Sequence, residues 1–223
     1  MRPRLGIVTI GQTPRHDLYE AFAREAVHAE VVVRGALDGL EPAEARALAD
    51  EATDYPLLVR LADGTSAEVP LQALHARVAT AAMALAADGA YAVVLACAGA
   101  FPDVPCPVPV IMPGRILPAS VRALVHSGRI GVVAPIAGQL TAAEAKWRSD
   151  GFDPVMTWAS PMRHDEIDRA ADAMRGAAAE LVVLDCMGHD DAYAHRFAAR
   201  CGRPVLSAQS VTARLAGALI PPT

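Results

Sequence analysis

The phrase VVLACAG at residues 93–99 returns as VVLDCMG at residues 182–188, and this repeat limits what the chain can fold into more than any other feature. Four apolar, mostly β-favouring residues without alternation describe a strand buried on both faces, which is the signature of a parallel sheet. The Cys and near-immediate Gly that follow place a thiol in the loop at the strand's C-terminal end, where open α/β sheets bind their ligands. The repeat extends outward. RLGIV at 4–8 is echoed by RIGVV at 129–133, and CPVPVI at 106–111 by CGRPVL at 201–206. The three matches have different offsets, so two related halves have diverged by insertion rather than standing as a tandem array.

Alternation of strand and helix signals fills in both halves. The spacing predicts strands over Leu5–Ile10, Val31–Val33, Tyr91–Ala96 and Val108–Met112, and helices over 14–27, 71–87 and 116–126. Thr13-Pro14 reads as the cap and first residue of the first helix. The second half gives strands at 130–134, 155–158, 181–185 and 204–207, with helices at 141–147, 165–179, 192–200 and 211–219. The expected class is therefore α/β: two pseudo-symmetric lobes, each a parallel sheet flanked by helices. The first lobe is expected to span 1–114 and the second 115–208, with the C-terminal helix at 209–223 packing back on the first. A β-hairpin around Asp63-Gly64, from Leu57 to Val69, has no counterpart in the second half. A lone hairpin needs something to pack on, and it is expected to cover a cleft or to contact a second copy in a homodimer.

Composition excludes several function classes. Net charge is −5 with Lys and Arg dispersed, so no basic face marks a nucleic-acid partner. No apolar run approaches the ~18 residues of a membrane span, and the N-terminal stretch lacks a cleavage pattern; a soluble, cytoplasmic protein is expected. Four cysteines in such a chain read as reduced thiols. No dinucleotide fingerprint or P-loop follows the first strand, and Cys186, His189 and His195 match no common zinc spacing. Neither cofactor nor metal is expected.

The segments IGQTPR (10–15), the Asp-Gly hairpin, LACAGAF (95–101), PGRILP (113–118) and LDCMGH (184–189) resemble the AroM family of bacterial proteins. That family is similar in turn to the aspartate/glutamate racemase superfamily. The resemblance implies two similar α/β lobes, each with a catalytic cysteine, here Cys97 and Cys186. The activities it implies are cofactor-independent racemisation, maleate isomerisation or arylmalonate decarboxylation. This sequence departs from the superfamily pattern after both cysteines. Ala98-Gly99-Ala100 stands where Asn and Thr or Ser usually hold a substrate carboxylate, and Met187-Gly188 where Thr does. Backbone N–H groups of these glycine-containing turns are then the expected anion holders. Gly11, Gln12, Thr13 and Arg15 on the first loop and Ser207 and Gln209 on the last are candidates for what the cysteine loops lack. Pro135 and Ser160, each just past a strand of the second half, join the candidate set, as does Arg115, which suits a salt bridge equally well.

The reading that follows is a racemase, epimerase or isomerase of a small carboxylate-bearing substrate, with Cys97 and Cys186 as opposed acid and base across an interlobe cleft, their sulfurs ~7–10 Å apart. The alternatives are a one-cysteine decarboxylase or cis-trans isomerase, and a non-catalytic binding or regulatory protein. A thiol of ordinary pKa ~8.5 is only a few per cent thiolate at neutral pH, so the site must stabilise the anion. His189, three residues after Cys186, is the expected source, and Cys186 is expected to react faster than Cys97. Asp185 should point away from its neighbour and orient a loop. Cys106 and Cys201, ahead of strands, are expected to be structural.

Overall fold

Strands that are apolar throughout bury both faces, and the structure, a computed structural model describing residues 2–50 and 55–222, places such strands at the centre of two sheets. The first half contains β1 (Arg4–Thr9), α1 (His16–Glu25), β2 (Glu30–Gly35), α2 (Pro42–Ala47), β3 (Pro56–Arg60), β4 (Ser66–Pro70), α3 (Leu71–Ala87), β5 (Ala90–Ala96), β6 (Val110–Ile111) and α4 (Pro113–Arg122). The second contains β7 (Arg129–Ala134), α5 (Leu140–Ser149), β8 (Asp153–Trp158), α6 (His164–Gly176), β9 (Leu181–Leu184), α7 (Asp191–Cys201), β10 (Val205–Ser207) and α8 (Ala208–Leu219). The chain divides into two compact units, one of residues 1–113 with 212–223 and one of 114–211.

Both sheets are parallel and have the same order. The first reads β2-β1-β5-β6 and the second β8-β7-β9-β10. Their registers coincide with the sequence repeat. Gly6 pairs with Val93, which pairs with Val110; Gly131 pairs with Val182, which pairs with Val205. Helix packing repeats too. A Cβ on Gly6 would meet Leu85 of α3 at 3.0 Å, and one on Gly131 would meet Met174 of α6 at 2.6 Å. Leu85 and Met174 share the offset that relates Cys97 to Cys186. A bare glycine on each central strand thus lets one helix lie close against it.

The hairpin β3-β4 finds its support inside its own unit. Leu57, Val59 and Val69 are buried with Val8, Leu37, Leu74 and Leu95, and the backbone of Gln12 donates to the carbonyl of Arg60 at 2.9 Å.

Several boundaries differ from the sequence reading, each for a local reason. Helix α1 starts at His16 rather than at Thr13-Pro14, because the Thr13 amide and hydroxyl both donate to Asp38, at 2.8 and 3.1 Å. Strand β6 is two residues long, since Pro107 and Pro109 cannot donate to a ladder. Helix α4 begins earlier, at Pro113, a residue suited to the first helical position. Helix α2 was not expected. Its signal is a capping box in which Glu41, an uncommon cap residue, accepts from the third helical amide while Glu44 reaches back to the Glu41 amide at 2.8 Å. No helix among the described residues is long and apolar enough to cross a membrane.

Helix α8 ends against α1. A Cβ on Gly217 would lie 2.4 Å from the carbonyl oxygen of Glu25 and 2.8 Å from its carbon. Gly217→Ala gains ~1 kcal/mol of helix propensity, but overpacking against backbone, which cannot swing aside, costs ~1–3 kcal/mol. We expect a net loss of about 1 kcal/mol or more in urea unfolding; a midpoint at or above wild type would show that α8 does not pack this closely.

Candidate active site

In the first unit the register pairs Thr9 with Ala96, so the ends of β1 and β5 lie side by side and Cys97 is the first residue beyond them. The residue is buried, 8% exposed. The amide of Gly99 donates to its sulfur at 3.4 Å, and the next amide, Ala100, donates to the hydroxyl of Tyr55 at 3.2 Å. Buried Phe101 and Val104 continue the loop, and no helix follows it until α4. A cation, Arg15, reaches the end of β1. Its Nη1 donates to Thr9 Oγ1 at 3.0 Å, while Nε and Nη2 grip the carboxylate of Asp17 at 2.8 and 2.7 Å. Burial pushes the Asp17 carboxyl up, but the Arg15 hydrogen bonds and charge, the Leu18 amide and Arg60 outweigh it and hold it below the usual carboxylate range. Among the described residues, three of the five guanidinium N–H groups are used in this way.

The neighbouring candidates on this loop serve the fold. Gln12 Nε2 donates to the carbonyls of Leu37 and Leu40 at 3.1 and 2.6 Å, and its Oε1 accepts from Ala62 at 2.9 Å. Gln12 and Thr13, candidates for substrate contact, make these bonds within the protein. Both side chains are committed to tying the loop after β1 to the hairpin and to the loop after β2. Gly11 is buried and its carbonyl accepts from Leu37 at 3.1 Å.

In the second unit the Cys186 loop repeats the motif with different surroundings. The Gly188 amide donates to the Cys186 sulfur at 3.3 Å, and the His189 amide closes a turn onto the Cys186 carbonyl at 3.3 Å. Two buried side chains brace this turn from β10 and α8. Ser207 Oγ donates to the carbonyl of His189 at 2.9 Å, and Gln209 Nε2 to that of Met187 at 2.8 Å. They hold the loop rather than reaching past it. Asp185 does point elsewhere: Lys146 Nζ lies 3.2 Å from it and Trp147 Nε1 donates to it at 2.8 Å. Asp190 caps α7 by accepting from the amide of Tyr193 at 2.7 Å. Pro135 is buried after β7, and Ser160 accepts from the Met162 amide at 3.2 Å, while Arg115 is exposed on α4. All four cysteines are thiols, and Cys201 is buried at the end of α7.

His189 overturns one expectation. It is fully buried, with Nε2 3.0 Å from the carbonyl of Ala159. A carbonyl only accepts, so Nε2 carries the proton and Nδ1 the lone pair. Burial lowers its pKa to about 4, against the opposing pull of the Ala159 carbonyl and Asp190. It is neutral near pH 7 and cannot supply the positive charge expected to stabilise a Cys186 thiolate. Residues that sequence reasoning missed are Tyr55, beside the Cys97 loop, and Tyr193, whose ring stacks on His189 at 4.2 Å. An aromatic in the first turn of a helix carries no signal that separates it from ordinary core.

The buried histidine makes stability depend on pH. Its folded pKa lies below the ordinary 6.5, so the unfolded chain binds the proton first. The contribution is complete above pH 6.5 and is lost as pH falls from there to about 4, amounting to about 3 kcal/mol. His189→Phe should flatten urea-derived stability across that window, relative to wild type. Parallel slopes would place His189 in contact with water.

Among curated proteins none aligns with this sequence. Solved structures do resemble the fold. Arylmalonate decarboxylase, in a liganded mutant form, has a TM-score of 0.66 at 17% identity over 97% of this chain and 92% of its own. Glutamate racemase from Bacillus anthracis gives 0.61 at 11% over 95% and 79%. The maleate isomerase Iso from Pseudomonas putida S16 gives 0.60 at 13% over 95% and 90%. A family model described as AroM protein matches residues 5–220, nearly the whole length, and the chain belongs to the AroM family.

Proposed function

We propose that this protein is a cofactor-independent racemase, epimerase or isomerase of a small carboxylate-bearing substrate, with Cys97 and Cys186 as its acid and base. The observation that carries the proposal is the pair of equivalent loops. Each thiol stands just past a central strand, and each sulfur accepts from the amide two residues on, at 3.4 and 3.3 Å. An amide aimed at sulfur favours the thiolate over the thiol. In the proposed reaction one thiolate takes the proton from the carbon next to the carboxylate. The electron pair spreads onto that carboxylate, and the other thiol returns a proton to the opposite face. Arg15 and the glycine amides of the two loops hold the negative charge that develops. Fold likeness to a glutamate racemase, a maleate isomerase and an arylmalonate decarboxylase supports a reaction of this class.

The difference between the loops favours a second reading in which Cys186 acts alone. Cys97 sits in an apolar loop, whereas the Cys186 loop is more exposed and leads directly into α7. In a decarboxylation the substrate would lose CO2, and the Cys186 thiol would protonate the resulting carbanion.

Incubation with amino acids, hydantoins and dicarboxylates in deuterated water should give exchange at the α-carbon. Cys97→Ser and Cys186→Ser should each lower turnover at least 100-fold, as expected for removal of a general acid or base. Loss confined to Cys186→Ser would favour the one-thiol reading, and no exchange or decarboxylation with any candidate would make this a binding protein. A bifunctional thiol reagent spanning ~7–10 Å, the separation two bases need around one carbon, should link Cys97 to Cys186 within one chain. Failure of every such reagent to do so would refute the two-thiol mechanism.

A further inference from the structure

We propose that Tyr55 is a positioning residue for Cys97, its phenolic oxygen holding the Gly99–Ala100 peptide so that the Gly99 amide stays aimed at the sulfur; this deepens the acid/base reading given above and rests on it. The segment Ala98-Gly99-Ala100 has no polar side chain with which to fix itself, and glycine is the residue freest to turn. Both polar ends of the Gly99–Ala100 peptide are nevertheless held. The Gly99 carbonyl accepts from the Phe101 amide at 2.9 Å, and the Ala100 amide donates to the Tyr55 hydroxyl at 3.2 Å. Holding that peptide plane limits the rotation of Gly99, whose own amide donates to the Cys97 sulfur at 3.4 Å. The three groups meet around one α-carbon: a Cβ on Gly99 would lie 3.2 Å from Leu57 Cδ2, 3.4 Å from the Cys97 sulfur and 3.6 Å from the Tyr55 hydroxyl. Tyr55 is itself anchored. Its carbonyl accepts from the Leu71 amide at 3.2 Å, and it packs on the buried cluster of the first unit.

The second unit holds its loop differently. The amide equivalent to that of Ala100 belongs to His189, at the offset that relates Cys97 to Cys186, and it donates to the carbonyl of Cys186 itself at 3.3 Å. That loop closes on its own backbone. The glycine equivalent to Gly99 is Gly188, where a Cβ would meet the ring of Pro161 at 2.9 and 3.0 Å, so Pro161 stands where Leu57 stands in the first unit. The Cys97 loop lacks the corresponding local turn, and its amide goes instead to Tyr55, at the foot of the β3-β4 hairpin. The hairpin, which has no counterpart in the second half, thus brings both Leu57 and an acceptor for Ala100 to the first cysteine.

The test reads Cys97 directly, in the full-length protein without substrate. Iodoacetamide modification of the Cys97 and Cys186 peptides is followed by mass spectrometry across pH, giving each thiol a midpoint and a plateau rate. In Tyr55→Phe, which keeps the ring and loses the acceptor, the Cys97 midpoint should rise by about half a unit, cutting its thiolate fraction at pH 7 about threefold. Cys186 in the same sample should be unchanged. Loosened packing alone would raise the Cys97 plateau rate and leave the midpoint where it was, and that result would overturn the proposal, as would an equal rise at both thiols. Replacing Ala100 with lactic acid puts an ester oxygen where the amide N–H stood, with Tyr55 intact. It should reproduce the Cys97 shift, and combining it with Tyr55→Phe should add nothing, because both changes remove the same bond. An ester protein with the wild-type midpoint, or shifts that simply add, would also overturn the proposal; the ester protein serves alone if Tyr55→Phe does not fold. Because the readout needs no turnover, absence of deuterium exchange would defeat the acid/base reading and leave this measurement intact.

Discussion

Burial of a parallel strand on both faces is the constraint from which the rest of this protein follows. A strand with no wet face needs helices on either side, and a parallel neighbour needs a crossover to reach it. Gly6 and Gly131, placed at the same register in β1 and β7, let α3 and α6 approach the sheet closely enough to exclude water. With the strand bodies sealed, polar chemistry is left to the loops at their ends. Cys97 is the first residue beyond β5, and Cys186 the second beyond β9.

The same construction carries two different electrical settings. At the end of β1, beside β5, the cation comes from another segment: Arg15 is anchored by Thr9 and partly neutralised by Asp17. At the Cys186 loop His189 is buried and neutral, and Lys146 is paired with Asp185, their side chains 7% and 6% exposed. The Gly188 amide donates to the Cys186 sulfur at 3.3 Å, a dipole rather than a full charge. The two units share the backbone motif that presents each sulfur and differ in what surrounds it.

Side chains that look like ligand contacts in a sequence are often claimed by the backbone. Gln12, Ser207 and Gln209 are polar residues on loops at strand ends, where substrate groups would be sought. Each instead satisfies buried carbonyls or amides of an adjoining loop. A loop that turns through the interior must find partners for its peptide groups, and amide and hydroxyl side chains meet that need with several bonds at once. Polarity and position alone do not distinguish this use from recognition.

The repeat in the sequence was enough to determine the α/β class, the two sheets and their matching registers, because unbroken apolar runs and the spacing between them depend only on local chemistry. The family resemblance rests on short phrases that are likewise read locally. Tertiary structure alone decided that Thr13 turns to Asp38 instead of capping α1, and that His189 is neutral. It also decided that Arg15 reaches the end of β1 and that Tyr193 stacks on His189. Each of these turns on the surroundings of a side chain, on whether water or carbonyl lies beside it, and that is set by segments distant in the chain. A histidine three residues from a cysteine reads as a cation when water can reach it and as a neutral ring when Ala159 and Tyr193 enclose it.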